Sequence, residues 1–109
     1  MEESNFEKIV TKTIERISET LIEKGKEYRR NNNPFHNFEQ GEKITDKTRE
    51  QVLDGFLLKH EISIADMTKD LSEGIIPKPE TVHEKFNDNI IYLLIKKAMI
   101  LDRIEKSEK

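Results

Sequence analysis

The sequence has no cysteine and no tryptophan, and only three prolines and four glycines. Without cysteine there can be no disulfide, no thiolate metal site and no cysteine nucleophile. It also lacks a long apolar run. The longest, Ile90 to Ile95, is far too short to span a bilayer. The first ten residues, MEESNFEKIV, are acidic and carry no apolar signal-peptide core. The expectation is a cytoplasmic protein with no membrane partner. Neither sign of charge dominates: 19 basic and 22 acidic residues are interspersed, for a net charge of −3. With no basic stripe, binding to duplex DNA is not expected.

What is present is a chain of 109 residues, 34% hydrophobic and 38% charged. That length suits a single domain. The apolar share is low, and so small a chain struggles to bury enough surface alone. Assembly with a second copy would enlarge the core, so a homo-oligomer is expected, a dimer or a tetramer. The alternative is a monomer whose long charged side chains cover its flanks.

Apolar residues recur at three- and four-residue steps in three segments, and no run alternates as a strand would. The first helix is expected over about 4–28, with Phe6, Ile9, Val10, Ile14, Ile17, Leu21 and Ile22 on one side; Ser4 and Glu7 have capping-box spacing. Residues 29–47 are irregular, because Asn31, Asn32, Asn33 and Pro34 oppose continued helix. Phe35 and Phe38 lie close together there, so this loop is expected to pack back onto the helices. The second helix is expected over 48–73, with Thr48 and Gln51 as a capping box and Gly74 just past its end. The third is expected over 79–106, opened by Pro79, with Thr81 and Glu84 again at capping spacing. The fold class is therefore all-α, a three- to four-helix bundle, with the fourth helix supplied by the loop or by a partner chain.

Several polar residues fall where the pattern calls for burial. On the second helix Lys59, Ser63 and Asp66 share a face at steps of four and three, and His60 lies one position round, in line with Leu53, Phe56 and Met67. On the third helix Glu84 and Asp88 continue at the same steps into Ile91, Ile95 and Ala98. Carboxylates facing one another across a bundle need a cation or several donors. Asp66, Glu84 and Asp88 would suit Mg²⁺, which takes a few carboxylates and leaves waters for substrate phosphates. Lys59 would then neutralise phosphate charge. Plainer readings remain open: Glu84 as a capping residue, Asp88 paired to Lys59 or His60, His60 as a hydrogen-bonded core histidine, and His36 as part of a packed turn.

Four runs carry a resemblance. KGKEY at 24–28, FHNF at 35–38, LLKHEISIADM at 57–67 and EKFNDNIIYLLIKKAMI at 84–100 resemble the phage-borne nucleotide-modification-associated domain. At longer range these runs are similar to the MazG-like and dimeric dUTPase all-α nucleotide pyrophosphatases. The resemblance covers about residues 20–100. It implies a MazG-like bundle and a site made of Glu27, His36, Asn37, Lys59, His60, Ser63, Asp66, Glu84 and Asp88. It further implies Asp66, Glu84 and Asp88 as Mg²⁺ ligands, Lys59 and His60 as the catalytic pair, and Glu27, His36, Asn37 and Ser63 against the substrate.

Two classes of function follow. One is a Mg²⁺-dependent pyrophosphohydrolase acting on a nucleoside triphosphate in phage nucleotide metabolism. The other involves no catalysis: a nucleotide-binding module, or a phage protein that binds a host protein.

Overall fold

The computed structural model of the chain describes residues 1–24 and 33–108. Among these the secondary structure is helical, with four α-helices and no strand. The expected all-α class is therefore observed. The chain divides into two compact units, 1–34 and 35–109.

The first unit is built on α1, Glu3–Ser18, which runs on as a π-helical turn over Glu19–Lys24. Its start differs in detail from the capping signal. Helical geometry begins at Glu3, and no side chain caps it. The apolar residues on its face are mostly open, with Phe6, Ile9, Val10, Ile14 and Ile22 exposed and Ile17 buried.

The second unit holds α2 (His36–Ile44), α3 (Arg49–Ser72) and α4 (Pro79–Ser107). The expected short helix within the loop is α2. At the start of α3 the Thr48 hydroxyl accepts from the Gln51 N–H at 3.2 Å, and the Gln51 side chain accepts from the Thr48 N–H at 3.0 Å. Two otherwise orphaned donors are satisfied reciprocally, as the spacing predicts. Gly74 adopts φ +83°. The Ile75 N–H reaches the Asp70 carbonyl and the Gly74 N–H reaches that of Leu71, a Schellman ending that needs glycine at this point. Pro79 takes the first position of α4, so Lys78 becomes the cap and Thr81 falls inside the helix. The Thr81–Glu84 capping box does not form, which leaves the Glu84 carboxylate uncommitted there.

Ion pairs Glu50–Arg103 and Asp54–Lys96 and the His60–Tyr92 ring contact run α3 and α4 antiparallel. Their seam buries Leu53 and Met99 completely, with Leu57 and Phe38 beside them. Each such side chain contributes on the order of 2 kcal/mol. α2 lies over one side of the pair. Its Phe38 ring meets Phe56 edge-on at 5.8 Å and Tyr92 at 6.3 Å, and Gly41 sits against Val52. Its N-terminal end thus points to the middle of the pair and its C-terminal end to the start of α3.

Arg49 ties all three helices at that end. It is buried, and donates to Glu39 of α2 at 2.8 Å, to Glu50 at 3.3 Å, and to Asp102 of α4 at 3.0 Å and the Met99 carbonyl at 3.1 Å. Its guanidinium also stands 4.7 Å from the centre of the Phe35 ring. The Phe35–Phe38 stretch does pack back onto the helices, as its two aromatics predict. Among the described residues no helix is long and apolar enough to cross a membrane.

Candidate functional site

The antiparallel register decides which polar residues meet. His60 stands level with Tyr92, their rings 5.0 Å apart. Three residues further down α3 and four back along α4, Ser63 comes to about the level of Asp88, and one more turn of each brings Asp66 to about that of Glu84. The α3 and α4 residues named from the sequence therefore share one end of the helix pair. By the helical phase of their contacts, Lys59, Ser63, Asp66, Glu84 and Asp88 lie toward the side that α2 covers, beyond its N-terminal end. His36 and Asn37, in the first turn of α2, mark the upper limit of that stretch.

The degree of shelter varies. Lys59, Asp66, Glu84 and Asn37 are exposed, while His36, His60, Ser63 and Asp88 are partly buried. Asp88 forms no ion pair with Lys59 or His60 among the described residues. The structural pairing considered for it is thus not made. Glu27 lies outside the described residues. Among the described residues no three histidine, aspartate or glutamate side chains are grouped closely enough to hold a metal ion. Asp66, Glu84 and Asp88 lie within about a turn of one another on one side without forming such a group. The reason lies in the helical phase: Asp88 points toward the seam, while Asp66 and Glu84 point out to solvent.

Sequence reasoning does not anticipate the aromatic floor of this stretch. Phe56 stacks on Tyr92 at 6.1 Å with their planes 15° apart, and His60 leans on the same tyrosine. Burial, and next the Asp88 carboxylate, push the Tyr92 phenol above its ordinary value, so it stays protonated and can donate. The signal was visible in part: Phe56, His60 and Tyr92 all fall on seam positions of their helices, but their register across the pair depends on the Gly74 turn. Asn87 is buried, and Asn89, two residues on, carries a buried side-chain oxygen with no hydrogen-bond partner among the described residues. Nothing in the periodicity marked either.

Among the described residues the arrangement offers an aromatic and imidazole surface for a planar ring, the Ser63 hydroxyl, the exposed Lys59 ammonium, and carboxylates able to accept from sugar or amine donors. Comparison with known protein families, curated proteins and solved structures returns no match.

Proposed function

We propose that this chain is a nucleotide-binding protein that holds its ligand along the α3–α4 stretch below the N-terminal end of α2. The observation that carries this reading is the His60–Tyr92–Phe56 ring cluster beside Lys59, Ser63 and Asp88. A nucleobase stacks on such a surface with about 1–3 kcal/mol per base. Lys59, from the exposed rim of α3, meets phosphate, the Asp88 carboxylate accepts from a sugar hydroxyl, and the Ser63 hydroxyl accepts from or donates to one. The N-terminus of α2, which no side chain caps, adds backbone donors of positive polarity on the same side.

The resemblance to pyrophosphohydrolases implies bound Mg²⁺. The described residues of one chain do not fit a resident ion, because no three carboxylate or imidazole ligands converge. The ligand is therefore read as the nucleotide complexed with its own magnesium. Its reduced negative charge suits a rim carrying Asp66 and Glu84 as well as Lys59. No hydrolytic step is assigned to His60 or Lys59.

Calorimetry with a panel of ribo- and deoxyribonucleoside triphosphates and Mg²⁺ tests the reading. Micromolar binding is expected, weakened about tenfold or more in Lys59→Ala and in His60→Ala. Absence of heat with every nucleotide would overturn it. Release of pyrophosphate during the same titrations would replace it with the hydrolase reading.

A further inference from the structure

Two polar side chains beside the ring cluster have hydrogen-bonding capacity that their own unit leaves unused. Ser63 and Asp88 are both partly buried, and among the described residues neither makes a hydrogen bond or an ion pair. Thr68 on the same helix shows the usual alternative, its hydroxyl donating to the Ile64 carbonyl at 3.0 Å. Ser63 makes no such bond to its own helix. Asp88 stands one turn from Tyr92 on the same face of α4, about 6 Å along the axis. Burial, and next the Asp88 carboxylate, raise the Tyr92 phenol, so the carboxylate charge is felt at the ring.

The chemistry of this pair is one-sided. An ionised carboxylate accepts and never donates, through two oxygens side by side, and a hydroxyl next to it serves as donor or acceptor. The complement is two adjacent donors. With the base flat on the rings, the group that reaches one turn further is the sugar. The vicinal 2′ and 3′ hydroxyls of ribose are two such donors, and 2′-deoxyribose has only one. We propose that Asp88 and Ser63 read the ribose diol, so that the site takes ribonucleotides in preference to deoxyribonucleotides. The inference rests on the nucleotide reading above and adds the sugar to it. Dinucleotide-binding sheets, an unrelated fold, also place an acidic residue on the ribose hydroxyls.

The layout of a nucleotide fits these positions. Base and 5′ carbon leave the sugar ring on either side of its ether oxygen, and the diol forms the opposite edge. With the diol held at about the level of Ser63 and Asp88, base and phosphates both turn back toward α2. The base then meets Tyr92, His60 and Phe56. The phosphates meet Lys59 and the N-terminus of α2. Shelter decides which carboxylate discriminates. Asp66 and Glu84 are exposed, so water replaces any hydroxyl they lose, whereas Asp88 is partly buried and would be covered further by the bound sugar. A deoxynucleotide leaves one of its acceptors without a donor, and a site built on a hydroxyl rejects the analogue that lacks it.

Calorimetry of the full chain with Mg²⁺ and matched pairs, ATP with dATP, GTP with dGTP and CTP with dCTP, tests the assignment. The ribonucleotide of each pair is expected to bind about tenfold or more tighter. The 3′-deoxy analogue of ATP is expected to lose about as much as dATP. Asp88→Ala is expected to bring each ratio close to one with unchanged helical circular dichroism, since Asp88 has no ion pair to lose among the described residues. Asp88→Asn, which keeps the shape and one acceptor, is expected to give an intermediate ratio. Lys59→Ala weakens both members of a pair alike and leaves the ratio as it was. Equal binding within each pair would overturn the sugar assignment while the nucleotide reading stands. So would a ratio that survives Asp88→Ala, or discrimination by base alone, which would put Asp88 on a base edge. Absence of heat with every nucleotide removes the nucleotide reading itself, and the sugar assignment with it.

Discussion

Two glycines of identical composition value carry opposite consequences. A Cβ added at Gly41 would stand 2.7 Å from Cγ1 of Val52, closer than such atoms approach. Gly41 is therefore what lets α2 lie against α3, and Gly41→Ala forces the two helices apart. The expected loss is about 1–3 kcal/mol in chemical denaturation. Gly55 sits inside α3 with open space where its Cβ would be. Gly55→Ala should therefore gain about 0.5–1 kcal/mol, since alanine costs less backbone entropy in a helix. Equal effects of the two substitutions would contradict the packing described here. This difference is not local, because it depends on what stands across from each glycine: Val52 faces Gly41, and open space faces Gly55. Arg49 was hidden for a similar reason. A basic residue in the first turn of a helix reads as solvated, and its burial follows only from the meeting of Glu39, Glu50 and Asp102 from three elements.

At the scale of elements, the long helices were legible because their signals are local. The Thr48–Gln51 box, the Gly74 ending and Pro79 each act within one turn of chain, and α3 and α4 start and stop within a residue or two of expectation. The first helix was less legible. Its α-helical part ends at Ser18 and turns π-helical through Lys24, a change in hydrogen bonding that leaves the apolar spacing almost intact. The site was readable as faces and not as distances. Helical phase places Lys59, Ser63 and Asp66 on one face of α3, and Glu84 with Asp88 on one face of α4. Whether the two sets converge depends on the depth at which one helix packs on the other. The seam is set by Leu53, Leu57, Tyr92 and Met99, with the result that Asp66 and Glu84 stay at the rim.

For the second unit as a whole, the ion pairs gathered at one end tie α2, α3 and α4 together and make that end sensitive to acid. The Arg103 guanidinium holds the Glu50 carboxyl below its ordinary value of 4.5, and Lys106 and then Arg49 hold Asp102 below 3.8. A carboxylate whose folded value is depressed contributes stability above its unfolded value and loses it as pH falls through the folded one. The unit should therefore melt at a nearly constant temperature from neutral pH down to about pH 5 and fall steeply at more acid pH. Glu50→Gln removes the titrating group while keeping its size. This variant should start with a lower melting temperature at pH 7, because the pairing with Arg103 is weakened. It should also lose less on acidification, so that the two curves converge once the pH has fallen through the depressed folded value of Glu50 and that carboxyl is protonated in the wild type. Thermal circular dichroism across this range reads both effects. Parallel curves, with the variant as acid-sensitive as the wild type, would mean that Glu50 does not share in holding the three helices together.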